Sequence, residues 1–274
     1  MKTKAQYPRA LTIAGSDCGG GAGLQTELKT FSALGAYGMS VITALTAQNT
    51  VSVKGVHPCP ADFVKSQLDA ILEDIGTDAV KTGMLFNSEI ISAVAEILSE
   101  AGTRNIIVDP VMLAKDGSRL LVPDACETLV THLLPLADLL TPNIPEAEYL
   151  SLIKITDEKS MRAAAEIILT LGPKAVLLKG GHMNDDSCVD LLLIKDGNEI
   201  KEMRLAGARV NTVNTHGTGC TLSAAITAEL SKGRELVSAV KKAKQYLSKA
   251  ILAGDGYKLG SGHGPVKHFI DISS

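Results

Sequence analysis

Two patterns of apolar and polar positions alternate along the chain. Short apolar segments rich in β-branched residues predict buried strands, and they occupy residues 11–14, 40–45, 78–82, 105–109, 137–141 and 174–179. Longer segments with apolar residues at helical spacing predict helices over 24–34, 61–75, 88–100 and 159–171. Strands that alternate with helices indicate right-handed βαβ units on a mostly parallel sheet. The expected fold class is therefore α/β.

One segment follows a different pattern near the C-terminal third. Residues 189–194 and 199–204 read as two strands around the turn Lys195-Asp-Gly-Asn198, which predicts an antiparallel hairpin at one sheet edge. The sequence has no internal repeat and no linker rich in Pro, Gly or Ser. We therefore expect one domain over residues 1–274.

Composition narrows the function classes. A net charge of −3 with no basic stripe argues against a nucleic-acid partner. No apolar run approaches the roughly 18 residues of a membrane span, and the N-terminal segment is not a signal peptide. The five cysteines are scattered without a C-x-x-C pair, which favours reduced thiols and a cytoplasmic protein.

Ligands of open parallel sheets bind beyond the carboxyl ends of the strands, and polar residues follow the predicted strands here. The glycine-rich segment 15–23 lacks the spacing of a dinucleotide loop, but its glycines permit close approach of a small ligand. Asp17 could accept a hydrogen bond from a substrate hydroxyl, or it could cap the following helix. Gln48 could pair with an aminopyrimidine edge, or it could be an ordinary loop residue.

The segment Asn211–Cys220 contains the turn Gly217-Thr218-Gly219 and runs into an apolar helical pattern over 221–230. A glycine turn at a helix start directs backbone N–H groups and the positive end of the helix dipole at one place, which favours a phosphoryl group. We expect the helix end to lower the pKa of Cys220. The alternative is a turn that needs glycine for steric reasons, followed by a buried cysteine.

Three further polar residues follow strands. Lys179 could reach a phosphate as a point charge, or it could extend into solvent. Asn143 and Glu146 lie three positions apart, so the carboxylate could orient magnesium-bound water, or the two residues could form a capping box. The dipeptide Gly-Lys does not occur, which excludes a Walker loop and means that any ATP is held in another way.

Seven motifs in order resemble those of the hydroxymethylpyrimidine/phosphomethylpyrimidine kinases of thiamine biosynthesis, which belong to the ribokinase-like superfamily. The likeness extends from Ala10 to His268. The motifs are Ala10–Asp17, Gly20–Gly23, Lys81–Met84, Val108–Met112, Thr141–Glu146, Lys179–His182 and Asn214–Cys220.

This resemblance implies a three-layer α/β/α sandwich and a homodimer. It implies transfer of the γ-phosphoryl of ATP, with Mg²⁺, to 4-amino-5-hydroxymethyl-2-methylpyrimidine and then to its monophosphate. Substrate-binding positions implied by it are Gly15, Asp17, Ala22, Gln48, Met84 and Val111. Nucleotide-binding positions are Asn143, Lys179, Thr218 and Gly219, with Glu146 at the metal and Gly217, Gly219, Cys220 and Lys179 as catalytic residues.

The resemblance also leaves alternatives. Most ribokinase-like sugar kinases carry Asp where this chain has Cys220, so a thiol would be a supporting base at most. A pyridoxine or pyridoxal kinase could use the same scaffold. A pyrimidine-binding regulator without catalysis is a third, weaker hypothesis, because Lys179, Glu146 and the glycine turn are all present.

Overall fold

A computed structural model describes residues 6–112, 120–122, 124–181, 187–208 and 210–270. The segment 115–118, considered from the sequence as a lid, lies outside these residues, as does His182 of the motif 179–182.

A single sheet forms the centre of the described part of the molecule, in the strand order β3-β2-β1-β4-β5-β6-β7-β8-β9. Strands β1, β2, β4, β5, β6 and β7 are parallel, whereas β3 pairs antiparallel with β2 and β8 pairs antiparallel with β7 and β9. The strands are β1 (Arg9–Asp17), β2 (Tyr37–Gln48), β3 (Val53–Pro58), β4 (Ala79–Thr82), β5 (Ile106–Val108), β6 (Leu139–Leu140), β7 (Ala175–Leu178), β8 (Ser187–Asp196) and β9 (Glu199–Ala208).

Helices cover both faces of this sheet. The helices are α1 (Gly23–Ala33), α2 (Ala61–Asp74), α3 (Ser88–Glu100), α4 (Ala125–Thr128), α5 (Ile144–Ser151), α6 (Glu158–Thr170), α7 (Thr218–Ser231) and α8 (Leu236–Gly254). A π-helical turn (Leu129–Leu133) and a 3₁₀ turn (Leu134–Leu136) continue α4. One core packs α2 to α6 on the sheet, and α1, α7 and α8 pack on the other face. The three-layer α/β/α sandwich is confirmed.

Each predicted strand and helix is present, with ends that differ by a few residues, and the edge hairpin is confirmed. The hairpin turn is tighter than the predicted 195–198, because Asp196 already pairs with Glu199. Gly197 has a φ of 61°, which suits glycine in a two-residue turn. Strand β3 was not predicted, because its residues are mostly exposed and carry no apolar alternation.

An ion pair lies inside the sandwich below the carboxyl ends of the strands. Lys81 of β4 is 0% exposed, and its Nζ lies 2.5 Å from Glu27 Oε1 on α1, which is also 0% exposed. Thr12 donates its hydroxyl to the other Glu27 oxygen. Burial alone would lower the pKa of Lys81, but the neighbouring carboxylates of Glu27 and Asp109 hold it above its usual range. Lys81 is therefore a buried cation that depends on its partners.

Replacing Lys81 with Met should lower the free energy of unfolding by about 3–5 kcal/mol, because Glu27 is left as an uncompensated buried charge. The double variant Lys81→Met/Glu27→Leu should recover most of this loss, since both charges are then absent. Urea denaturation measures both.

The control is Lys65→Met, because the Lys65–Glu96 pair is on the surface, with side chains 38% and 53% exposed. Its unfolding midpoint should match that of the wild type within error. A Lys81→Met protein as stable as the wild type would show that the buried pair does not hold the two layers together.

Candidate active site

The loop after β1 is organised by one carboxylate. Asp17 is 3% exposed and accepts hydrogen bonds from the backbone N–H groups of Gly19, Gly21 and Ala22 at 2.8–3.0 Å. Burial alone would raise the pKa of Asp17, but His216 and these N–H groups outweigh it and hold the pKa below its usual range. The carboxylate thus orders the loop before α1, but it does not cap that helix, whose N-cap is Ala22 and has no side-chain capping hydrogen bond. A direct contact between Asp17 and a substrate hydroxyl stays a prediction.

Gln48 and the glycine turn, which are far apart in sequence, meet at His216. Gln48 Nε2 lies 3.2 Å from His216 Nε2, and Gln48 Oε1 lies 3.3 Å from Thr46 Oγ1. His216 immediately precedes Gly217, and its Nε2 also lies 3.3 Å from Asp17 Oδ2. The end of β2 and the start of α7 therefore border the same cleft.

The glycine turn has the backbone geometry of an anion site. Gly217 is the N-cap of α7 with a φ of 75°, and a Cβ there would lie 2.0 Å from Gly21 O. The first intrahelical hydrogen bond runs from Thr221 N to Gly217 O, so the N–H groups of Thr218, Gly219 and Cys220 have no acceptor within the helix. Thr218 directs its hydroxyl to Thr215 O. These N–H groups are therefore available to bind an anion.

A lysine–carboxylate pair lies directly beside this turn. Lys179 Nζ contacts Asp109 Oδ1 at 3.0 Å, and the two side chains are 14% and 3% exposed. A Cβ on Gly219 would lie 3.3 Å from the same Nζ, so the ammonium group is next to the turn. Ser223 of α7 donates to Asp109 Oδ2 at 3.1 Å. Burial alone would lower the pKa of Lys179, but Asp109 and Glu146 raise it, and the side chain is a cation.

Asn143 and Glu146 form the capping box considered from the sequence. Asn143 N donates to Glu146 Oε2 at 2.8 Å, and Glu146 N donates to Asn143 Oδ1 at 2.9 Å. Glu146 is 6% exposed, and burial together with nearby Asp109 raises its pKa even though Lys179 acts in the opposite direction. Structural capping does not remove the carboxylate from the site, because it remains close enough to Lys179 and Asp109 for their charges to affect it.

The remaining substrate positions line the same end of the sheet. Gly15 follows an irregularity in the β1–β2 pairing, and a Cβ there would lie 3.0 Å from Met84 Sδ. Met84 is buried, and its carbonyl accepts the Thr43 hydroxyl at 2.6 Å. Val111 N donates to Asp109 O at 2.8 Å, immediately after β5. Ala22, whose backbone N–H donates to Asp17, is the last of these positions. All the residues that were predicted for the site thus lie at the carboxyl ends of strands, in the loops that follow them, or at the starts of α5 and α7.

The expected low pKa of Cys220 is wrong. Burial raises the pKa of the thiol to about 12, and Glu27 and Asp109 add to this effect, whereas Lys81 and the backbone of Gly23 only partly oppose it. The residue as a whole is partly exposed. The desolvation cost of a thiolate therefore exceeds the stabilisation that the helix terminus gives. At neutral pH the side chain is a neutral thiol.

The C-terminal segment 260–265 braces the glycine turn. His216 N donates to Gly264 O at 3.0 Å, and a Cβ on Gly264 would lie 2.1 Å from Asn214 Oδ1. Asn214 in turn donates to the carbonyls of Gly254 and Tyr257, both at 2.7 Å. The segment thus holds residues 214–216, which directly precede the glycine turn, in place.

The sequence analysis missed the roles of Asp109, His216 and Lys81. Asp109 and Lys81 lie in quoted motifs, and Asp109 directly follows a predicted strand, which was the available signal. His216 gave no separate signal, because its partners Asp17 and Gln48 are distant in sequence.

The described residues contain neither a ready-made metal cluster nor a membrane-spanning helix. Among them, no group of three or more His, Cys, Asp or Glu side chains is arranged to hold a metal ion. Across the ranges given above, no helix is both long and apolar enough to cross a bilayer.

The fold and the site define a ribokinase-like α/β protein with an anion-binding turn beside a lysine–carboxylate pair. The chain belongs to the phosphomethylpyrimidine kinase family, whose model matches residues 17–267.

Individual relatives agree with this assignment. The hydroxymethylpyrimidine/phosphomethylpyrimidine kinase of Salmonella typhimurium is 50% identical over 265 residues, which are 96% of this chain and 98% of that protein. The thiamine biosynthesis bifunctional protein ThiED of Geobacter sulfurreducens is 50% identical over 97% of this chain, which spans only 54% of that longer protein.

Solved structures show the same architecture. The phosphomethylpyrimidine kinase of Clostridium difficile 630 is 47% identical, with a TM-score of 0.77 over 89% of this chain and 99% of that one. The pyridoxal kinase of Staphylococcus aureus, in complex with AMP-PCP and pyridoxal, is 38% identical, with a TM-score of 0.86 over 97% of this chain and 95% of that one.

The neutral state of Cys220 predicts slow alkylation. With a pKa of about 12, on the order of one molecule in ten thousand carries the thiolate at pH 8, and only the thiolate reacts. Iodoacetamide at pH 8 should label exposed Cys18 well before Cys220, as peptide mass spectrometry can measure. The rate at Cys220 should rise about tenfold per pH unit. Equal rates at the two cysteines would show that Cys220 is an activated thiolate.

Proposed function

We propose that this protein is an ATP-dependent kinase of thiamine biosynthesis. It phosphorylates 4-amino-5-hydroxymethyl-2-methylpyrimidine and then phosphorylates the monophosphate to the diphosphate. The observation that carries this proposal is the meeting of Gln48 with the residue before the anion-binding turn, at 3.2 Å. An amide suited to an aminopyrimidine edge thus lies beside the backbone N–H groups suited to a phosphoryl group. Family membership and the names of the relatives support the same activity.

The phosphoryl group would occupy the space in front of α7. The N–H groups of Thr218, Gly219 and Cys220 supply hydrogen bonds there, and Lys179 supplies a positive charge. Asn143 lies beside Lys179, since their backbones form a β-bridge, which supports a nucleotide contact for both residues. Phosphoryl transfer depends mainly on positioning and charge stabilisation, and these groups provide both.

The buried carboxylates fit a divalent cation through its water molecules. Two cations, Lys81 and Lys179, face three carboxylates, Glu27, Asp109 and Glu146, a formal charge of −1 when all are ionised. Burial raises the pKa of Glu146, and Asp109 adds to this effect while Lys179 opposes it. When bound, Mg²⁺ supplies charge neutralisation on the phosphates of ATP. Glu146 and Asp109 would hold it through water, since both already accept protein hydrogen bonds.

Cys220 acts in this proposal as a neutral contact at the end of the substrate pocket. Its raised pKa makes it a poor acceptor for the substrate hydroxyl's proton before transfer begins. A loose transition state needs little help from a strong base, so the thiol can take part late or leave the proton to a phosphate oxygen.

The proposal includes a homodimer in the cytoplasm. Strand β3 is the last strand at its edge of the sheet, and Leu45, Val51 and Phe63 near it are 48–59% exposed, which supports a contact between two copies there. The four cysteines whose side chains are described, Cys18, Cys59, Cys126 and Cys220, are all free, which supports a reducing compartment.

The second candidate is a pyridoxal kinase, favoured by the similarity to the Staphylococcus aureus structure. Gln48 distinguishes the two. A pyridoxal ring carries a phenolic oxygen where the pyrimidine carries an amine, so one of the amide's two hydrogen bonds is lost. An unpaired polar group costs about 1–3 kcal/mol, or roughly tenfold to hundredfold in selectivity.

Purified protein with ATP and Mg²⁺ should convert the hydroxymethylpyrimidine to both phosphorylated products, detected by mass spectrometry. The Gln48→Ala variant should raise the KM for the pyrimidine roughly tenfold to hundredfold and change the KM for ATP much less, because the amide contacts only the first substrate. Rapid phosphorylation of pyridoxal without turnover of the pyrimidine would instead establish the second candidate. Binding of the pyrimidine without any ATP consumption would identify a regulator.

Gly219→Val should lower kcat about a hundredfold or more and leave the thermal unfolding midpoint nearly unchanged. Gly219 does not have a positive φ, and its added Cβ would meet only the side-chain atoms of Lys179 and Asp109, at 3.3 and 3.9 Å. The branched side chain would therefore occupy the phosphoryl space without straining the backbone.

The matched variant Gly217→Val should instead destabilise the protein, since Gly217 has a φ of 75° and its Cβ would collide with Gly21 O. Near-normal kcat in the Gly219→Val protein would place phosphoryl stabilisation elsewhere.

A further inference from the structure

Two side chains from separate segments converge on one imidazole nitrogen. His216 Nε2 lies 3.3 Å from Asp17 Oδ2 and 3.2 Å from the end of the Gln48 amide. The imidazole is held in place, because its own backbone N donates to Gly264 O and its Cδ2 would lie 2.5 Å from a Cβ on Gly21. The ring therefore has little room to turn away from either partner.

Asp17 determines where the imidazole carries its proton. Its carboxylate accepts from three backbone N–H groups, and its pKa is held below the usual range, so at neutral pH it is an acceptor only. A bare Nε2 lone pair facing Oδ2 would be repulsive. The contact is attractive only when Nε2 carries hydrogen, which holds for the neutral Nε2–H tautomer and for the imidazolium.

The protonated Nε2 in turn determines the orientation of Gln48. The amide atom that faces Nε2–H must be an acceptor, and rotating the amide by half a turn exchanges oxygen and nitrogen at nearly the same positions. Thr46, on the other side of the amide, favours the same orientation. Its hydroxyl proton goes to Ser16 O at 2.8 Å, so its 3.3 Å contact with Gln48 requires a donor from the amide. Both neighbours favour oxygen toward His216 and nitrogen toward Thr46.

We propose that His216 is a positioning residue that fixes the Gln48 amide with its oxygen toward Nε2–H, and that Asp17 maintains this arrangement. The inference rests on the proposed function, in which Gln48 contacts the substrate ring. One lone pair on the oxygen and one N–H group remain for that ring. Because the amide cannot rotate without losing both neighbours, the order of donor and acceptor shown to the substrate is fixed. A ring with a different order, such as that of pyridoxal, is then rejected rather than accommodated.

The first test examines the imidazole in the protein without substrates or ATP. Two-bond ¹⁵N–¹H correlation spectra distinguish a proton on Nε2 from one on Nδ1, and the signal that disappears in His216→Gln identifies the residue among the six histidines. A proton on Nε2 is expected at pH 7.5. A neutral ring protonated only on Nδ1 would overturn the proposal, whatever the enzyme's activity.

The second test separates positioning from catalysis. His216→Phe keeps a planar ring without the N–H group, and His216→Gln keeps a side-chain donor of similar reach. The Phe variant should raise the pyrimidine KM at least tenfold, lower the preference for the pyrimidine over pyridoxal by a similar factor, and change kcat and the KM for ATP less than threefold. The Gln variant should restore most of the loss.

The effect should also depend on Gln48. In a Gln48→Ala background, His216→Phe should change the pyrimidine KM less than twofold, because the amide that it orients is absent. Equal factors in the two backgrounds would overturn the proposal and indicate a structural role for His216. If no variant or wild type turns over the pyrimidine, the proposed function has failed, and calorimetric binding of the pyrimidine with the tautomer spectrum still decides the positioning role.

Discussion

The site is organised around Asp109, whose buried carboxylate holds together the charges beneath the cleft. It contacts Lys179 at 3.0 Å, lies 4.0 Å from Lys81 and accepts from Ser223. Ions removed from water are tolerated only when opposite charges or hydrogen bonds compensate them. Since β4, β5, β7 and α7 supply these groups, their charges can be satisfied together only when the four elements have this arrangement. The glycine turn at the start of α7, for which we propose phosphate binding, is positioned as a consequence.

A second constraint, steric rather than electrostatic, joins the substrate loop to that turn. Gly21 packs against His216, and Gly217 packs against Gly21 O, at distances that exclude any Cβ. The two loops belong to the first and last parts of the chain, and Gly21 and Gly217 meet through their backbone atoms. The Asp17–His216 contact crosses the same junction. A shift of the glycine turn would therefore also move the loop after β1, which keeps the distance between the two loops constant.

Local patterns were sufficient for most strands and helices of the α/β fold but not for the electrostatics of the site. The strands around 11–14 and 174–179 are apolar and buried, so their sequence alone identified them, whereas β3 has no buried residue and leaves no apolar alternation to read. Positions after strands also gave Gln48 and Lys179 as candidate residues, and the structure brings each of them close to the glycine turn. The pKa of Cys220 could not be inferred in this way, because it depends on burial and on Glu27 and Asp109, which only the folded chain brings near.

The same charges explain why a thiol suits position 220 better than a carboxylate would. Glu27, Asp109 and Glu146 already outnumber the cations Lys81 and Lys179. Burial raises the pKa of Glu146, and Asp109 adds to this effect while Lys179 opposes it. A further carboxylate beside Glu27 and Asp109 would add repulsion in a region with little water to screen it. A neutral thiol adds none, and it leaves the positive potential of Lys179 and of the helix terminus for the phosphates. The buried charged side chains next to position 220 thus favour a thiol there as much as any role in accepting the substrate hydroxyl's proton does.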